Sequence, residues 1–261
     1  MDHAARAGID TLGLVDHDTL AGVAEAAQVG ADLGVRVVSG CEFSVAAPWG
    51  EMHLLGYFLP PDDPALTAFL EDQRSKRLHR AERMVDRLRG LGQEVTLDDV
   101  LVESGEGAVG RPHVARALVK RGGVSSVSQA FVRFLRWGRP AFVPKILPSV
   151  EEVTAIVRAV GGVSSAAHLG ERATEPSLVR LRAQGLDAVE VRHPAHNEMV
   201  TSRIDGLADE TGLLKTGGTD WHGPGEEAER APLGAIAVPA AWLQRLESLH
   251  AERVLHTEEG E

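Results

Sequence analysis

Hydrophobic and polar positions follow two rhythms along the chain, one at its ends and another in its middle. An apolar run at 11–15 leads into Asp16-His17-Asp18-Thr19 and an Ala-rich helical stretch to Gly34. Asp18 or Thr19 is the expected N-cap of that helix. A second strand at 35–38 leads into Gly40-Cys41-Glu42-Phe43-Ser44, and a third at 52–59 carries His53 before Pro60-Pro61. From 63 to 139 the alternation stops. Leu78, Ala81, Met84, Leu88 and Leu91 recur at helical spacing, and further helices are predicted at Arg111–Lys120 and 125–137. Strand–helix alternation then resumes, with helices at 149–160, 175–184 and 197–211. The strands predicted there are 162–167, 187–191, 213–216 and 234–238. The tail from 249 is polar and expected to fray.

Strands alternating with helices imply an α/β fold with a parallel sheet or barrel, its site at the C-terminal ends of the strands. The expected organisation is a barrel from 1–62 and 140–248, a helical insertion at 63–139 and a polar tail at 249–261. A length of 261 residues is enough for one large α/β domain or two small ones. Apolar runs fall far short of the roughly 20 residues of a membrane helix, and the N-terminus has no leader-like pattern. The single Cys41 fits a reducing cytoplasm. Net charge of −11 argues against non-specific DNA coating, which needs clustered Lys and Arg.

Composition adds one pointer to chemistry, a count of eleven His. His17, Glu42, His53, His168, His193, Asp220 and His222 each lie on or just beyond a predicted strand, all but His53 at its C-terminal end. One His at a strand end is more often a surface or hydrogen-bonded core residue than a ligand, Asp16 or Asp18 could cap a helix, and His222 could be a turn residue. Their recurrence at one edge favours a metal centre. Mixed imidazole and carboxylate donors suit Zn, Mn or Fe, and so many point to two or three ions, which clamp attacking and departing oxygens in phosphoester hydrolysis. Gly110-Arg111-Pro112-His113 before a helix is equally a phosphate cradle or an ordinary helix start with Pro in its first turn. The Arg-rich helix from Arg74 to Arg89 could guide a nucleotide substrate, but a solvated amphipathic face is the better reading. Serine-hydrolase elbow, P-loop and dinucleotide fingerprints are all missing from the sequence.

Together, Leu14-Val15-Asp16-His17-Asp18-Thr19, Gly40-Cys41-Glu42-Phe43-Ser44, Glu51-Met52-His53-Leu54-Leu55-Gly56-Tyr57, Ala167-His168 and Gly218-Thr219-Asp220-Trp221-His222-Gly223-Pro224 resemble the motifs of the PHP (polymerase and histidinol phosphatase) family. Gly110-Arg111-Pro112-His113, Arg139-Pro140-Ala141-Phe142-Val143-Pro144 and Val189-Glu190-Val191-Arg192-His193-Pro194 resemble its subgroup of nucleoside 3′,5′-bisphosphate phosphatases and RNase AM-like 5′-to-3′ exoribonucleases. The resemblance implies a distorted (β/α)7 TIM-like barrel with a helical substrate-binding insertion and two or three divalent ions. His17, Glu42, His53, His168, Asp220 and His222 would be ligands, with Glu42 bridging two ions. Arg111, His113 and His193 would hold substrate phosphates, with Lys145 a further candidate, and His193 and Arg111 would take part in catalysis. The substrate would be a nucleotide 5′-phosphate, free or at the 5′ end of a short RNA, attacked by metal-activated hydroxide. Alternatives are another small phosphate ester, a nucleotide-binding homologue without turnover, or a C–N metallohydrolase. The family's first strand, with its Asp-x-His-x-His motif, has no counterpart here; the expectation is a barrel lacking that strand and a natural start upstream of Met1.

Overall fold

A computed structural model describes residues 1–105, 107–223 and 231–258. Chain order is α1 (Asp2–Arg6), β1 (Thr11–His17), α2 (Val23–Leu33), β2 (Arg36–Ala47), β3 (Gly50–Tyr57), α3 (Pro64–Gly90), α4 (Leu97–Ser104), α5 (Arg111–Lys120), α6 (Val127–Ala130), a π-helical turn (Phe131–Leu135), α7 (Val150–Ala159), β4 (Val163–Ala166), α8 (Glu175–Ala183), β5 (Ala188–Arg192), α9 (Glu198–Thr211), β6 (Leu214–Gly217) and α10 (Ala240–Glu258). The strands form one six-stranded sheet in the order β1-β2-β3-β4-β5-β6.

The sheet is mixed rather than parallel, and the reason is local. Only Pro48 and Trp49 separate β2 from β3. So short a link can only fold back into a hairpin, and β3 runs antiparallel to β2 and to β4. β4, β5 and β6 are parallel to one another, joined through α8 and α9. The reversal answers why His53 alone lay at the wrong end of its strand. Read backwards, the start of β3 belongs to the same sheet edge as the C-terminal ends of β2 and β4, and His53 pairs with Ser44 there. Close approach within the hairpin requires glycine, since a Cβ on Gly40 would stand 2.5 Å from the Gly56 carbonyl oxygen.

Two compact units emerge. The first comprises Met1–Asp16, Leu20–Leu66 and Leu147–Glu261; the second is Thr67–Ile146 together with His17–Thr19. In the first, every residue of β4 is buried, as expected of a strand covered on both faces. Helix α10 is stapled to the start of β5: Asp187 accepts hydrogen bonds from Arg253 at 2.5 and 3.0 Å and from the Ser164 backbone and hydroxyl, both at 2.9 Å. The second unit has its own core of Ala81, Met84, Leu88, Val114, Leu118 and Leu135.

Several expectations are corrected. Residues 234–238 form no strand; they are irregular, and the Ala237 carbonyl accepts a hydrogen bond from Arg192. The stretch 249–258 is the second half of α10 rather than a frayed tail. Neither Asp18 nor Thr19 caps α2, whose N-cap is Gly22 with no side-chain cap; the Asp18 carboxylate is taken by Arg77 instead. The helix expected at 125–137 is one short α-turn followed by the π-helical turn. Among the described residues, no helix is long and apolar enough to cross a membrane.

Candidate metal and phosphate site

Strand ends position most of the side chains singled out from the sequence. Glu42, within β2, is only 6% exposed. Its Oε1 lies 2.7 Å from His53 Nδ1 and 3.4 Å from His168 Nε2, and the two imidazole nitrogens are 3.2 Å apart. His17, the last residue of β1, joins Glu42 and His53: one ligand atom from each lies within 4.8 Å of the others. His53 Nε2 faces Glu51 Oε1 at 3.3 Å. His53 Nδ1 thus faces the Glu42 carboxylate and His168, and Nε2 faces Glu51.

Three potential ligand atoms lie 2.7–3.4 Å from one another here. Ligand atoms about 2.0–2.2 Å from a tetrahedral cation are roughly 3.4 Å apart; the His53–His168 and His168–Glu42 spacings are close to this, while the 2.7 Å His53–Glu42 contact would have to open to admit an ion. Glu51 supplies the outer partner that such a histidine normally has.

The loop after β6 behaves differently. His222 Nδ1 is 2.8 Å from the Asp220 carbonyl oxygen and 3.5 Å from its carboxylate Oδ1. The two residues thus face each other, and neither belongs to the His17–Glu42–His53 group among the described residues. Pro224, the end of that motif, lies outside the described residues.

His193 follows β5. Its Nδ1 accepts the Ala195 N–H at 3.1 Å, which leaves the proton of the neutral ring on Nε2. That atom is buried without a hydrogen-bond partner among the described residues; Asp220 Oδ2, at 3.7 Å, is too far for one. The ring stands 5.5 Å from that of His168. His168 and Asp220 have positive φ, +35° and +49°, a strained conformation of the kind that collects at functional sites.

One residue beside the site is not among those the sequence singles out. Glu190 of β5 is buried and accepts the His168 backbone N–H at 2.7 Å. Burial pushes its carboxyl up to about 8, with Glu42 and Asp220 adding to the effect. Its sequence signal is an acidic residue between two valines, inside the Val189–Pro194 motif.

Arg111, His113 and Lys145 lie in the helical unit. Arg111 opens α5, its guanidinium 5.7 Å from the centre of the Phe131 ring and 5.8 Å from that of Phe142. Two aromatic faces hold it, and it has no carboxylate partner among the described residues, so its N–H groups remain available to an anion. His113 Nδ1 accepts the Gly110 N–H at 2.9 Å, closing the helix start. Burial, with Arg116 close by, pushes its pKa down to about 4. It is therefore neutral at pH 7, with its remaining N–H as a donor.

The basic face of α3 is largely spoken for. Arg77 pairs with Asp18 and Lys76 with Asp72, while Arg80 and Arg87 donate to the carbonyls of Val143 and Phe142. These contacts favour a structural role over a nucleic-acid track.

The chain is similar to the 3′,5′-nucleoside bisphosphate phosphatase of Chromobacterium violaceum, 32% identical over 235 residues, 87% of this chain and 81% of the relative. It belongs to the PHP phosphoesterase family. The PHP chain is also similar to a 5′-3′ exoribonuclease of Haemophilus influenzae, 30% identical over 222 residues that make up 83% of this chain and 81% of that one. A crystal structure of a metal-dependent phosphoesterase from Bifidobacterium adolescentis superposes with a TM-score of 0.84 and 32% identity, covering 95% of this chain and 88% of the other. No family model matches the chain. As a PHP-family protein it is a hydrolytic enzyme, and its His–Glu–His donor set suits divalent metal.

Proposed function

We propose that this PHP enzyme removes the 5′-phosphate of a nucleotide, either a nucleoside 3′,5′-bisphosphate or the 5′ end of a short RNA. The observation that carries the reading is the convergence of Glu42, His53 and His168 donor atoms, 2.7–3.4 Å apart, on one sheet edge. Of the two relatives named above, one is a 3′,5′-nucleoside bisphosphate phosphatase and the other a 5′-3′ exoribonuclease. Divalent ions of the Mn, Zn or Fe kind, two or three in number, would supply Lewis acidity and make a hydroxide nucleophile accessible near neutral pH.

The remaining roles belong to the chain's own residues. Glu42, His17, His53 and His168 hold the cation site, and Asp220 with His222 extends it from the loop after β6. Glu51 keeps the His53 lone pair directed inward, and Glu190 holds the His168 backbone in place. Arg111 and neutral His113 bind substrate phosphate through charge-assisted and neutral hydrogen bonds. The buried Nε2–H of His193 is a ready donor to a phosphoryl or leaving oxygen, while its Nδ1, held by the Ala195 N–H, fixes the ring.

The barrel and the insertion have separate roles, with 1–62 and 140–248 holding the metal and 63–139 binding substrate. Phosphate release from a nucleoside 3′,5′-bisphosphate with added Mn²⁺ tests the reading. Turnover abolished by a chelator is the expected result. No release from this substrate or from 5′-phosphorylated RNA would overturn it.

A further inference from the structure

The helical unit carries a charge pattern that a single phosphate does not explain. Residues 107–146 contain eight Arg and Lys and no Asp or Glu, in a chain of net charge −11. Three of these cations are neutralised from the preceding helix: Arg116 and Lys120 by Glu103, and Arg121 by Asp99. Arg133, Arg136 and Arg139 have no carboxylate partner among the described residues. Arg136 precedes and Arg139 closely follows in sequence the most exposed large hydrophobic side chain of the described residues, Trp137, at 81%, while Arg133 lies over the Phe134 ring.

Trp137 is held outward by a rigid loop. The π-helical turn hands over to two successive turns, closed by hydrogen bonds from Arg136 N to Phe131 O, Arg139 N to Arg136 O, and Phe142 N to Arg139 O, each 3.0–3.1 Å. Gly138, with φ +74°, makes the tight corner beside the indole. Behind the loop, Arg87 and Arg80 fix the carbonyls of Phe142 and Val143.

Trp137 packs edge-to-face on Phe142, centroids 5.3 Å apart and planes at 68°. Phe142 also neighbours the guanidinium of Arg111, 5.8 Å from its ring centre. A continuous line of contacts therefore runs from the phosphate-binding arginine to an exposed indole flanked by unpaired cations.

An aromatic face beside unpaired arginines is the usual platform for single-stranded nucleic acid, in which the ring stacks a base and the cations track the backbone. We infer that Trp137, with Arg136 and Arg139, stacks a base downstream of the 5′-terminal nucleotide of a single-stranded RNA. The inference rests on the proposed 5′-phosphate reading and narrows it. A mononucleotide held by Arg111 cannot use this site, whereas an oligoribonucleotide gains from it.

The test compares wild type with Trp137→Ala, Trp137→Phe and the double variant Arg136→Glu/Arg139→Glu. The substrates are a 5′-phosphorylated pentaribonucleotide and a nucleoside 3′,5′-bisphosphate, both with Mn²⁺. Trp137→Ala should raise KM for the pentamer about 5- to 100-fold, the loss of one stacked base. Its kcat, and both constants for the bisphosphate, should be unchanged. Trp137→Phe should retain most of the affinity, and the charge reversal should raise the pentamer KM and flatten its salt dependence. An equal effect on both substrates, or on neither, would overturn the assignment and leave Trp137 as a contact for a protein partner or a purely structural residue. If neither substrate is hydrolysed, the phosphoesterase reading fails by itself. Fluorescence anisotropy of a 3′-labelled pentamer then decides the stacking site: a Kd equal for wild type and Trp137→Ala rejects it, and a weakened one sustains it.

Discussion

The sheet edge and the helical unit are electrostatic opposites. Around β2, β3 and β4, imidazole and carboxylate donors face one another with no Lys or Arg in the described cluster, an arrangement that lacks only a cation. In the helical unit, Arg111 stands on two aromatic rings, while Arg133, Arg136 and Arg139 have no carboxylate partner among the described residues. Under the proposed function, the first takes a cation and the second a phosphate. Paired residues do occur in both halves, but as staples: Arg253 with Asp187 and Arg77 with Asp18.

The sharpest way to break this comparison is to remove the shared carboxylate. Glu42→Gln should lower turnover at least about 10³-fold, roughly 4 kcal/mol of barrier, and should lower bound metal as read by elemental analysis. Unchanged metal content and activity would show that the three-atom cluster is not the cation site. Next in size is Arg111→Ala, for which losing a charge-assisted contact worth about 1.5–3 kcal/mol implies roughly a 10- to 100-fold drop in kcat/KM. Metal content should stay the same, and Arg111→Lys should not rescue, because an ammonium lacks the planar face that lies against Phe131 and Phe142. Metal loss in this variant would contradict the separation of the two halves.

Glu51→Gln should be milder. Outer-shell partners of metal-bound histidine are worth about 10- to 100-fold in metal affinity, and the weaker end is expected because the contact is 3.3 Å. Metal titration by calorimetry would measure it. The smallest effect concerns pH. The folded pKa of His113 is pushed down to about 4 from an ordinary 6.5. Above pH 6.5 both folded and unfolded forms are neutral; below it the unfolded chain takes up a proton that the folded one resists. Stability is therefore lost as pH falls from 6.5 through about 4. His113→Asn keeps a side-chain acceptor beside the Gly110 N–H and should flatten that part of the profile, seen as a smaller change in urea midpoint between pH 7.5 and 4.5.

Legibility from sequence tracks how local each cause is. Helix α5 is predicted at its observed bounds because Gly110, Pro112 and Lys120 are start and stop signals acting within one turn. The reversal of β3, which brings His53 to the common edge, is not legible in the same way, because its direction depends on a two-residue link closing a hairpin. Helix α10 differs from expectation because Asp187–Arg253 docking is a contact over 66 residues, invisible to periodicity. Glu190 escapes notice because its importance comes from burial and from His168, brought together by strand pairing.

Residue type and short-range spacing were enough for the inventory: strand-end histidines and carboxylates, the Gly-Arg-Pro-His helix start, and a helical stretch interrupting an α/β alternation. The chain carries these at every stage of folding. Which donors meet was settled only by tertiary contacts. Glu42, His53 and His168 converge while Asp220 and His222 turn toward each other, because pairing register and strand direction place side chains to within an ångström, and both arise from contacts between segments far apart in the chain.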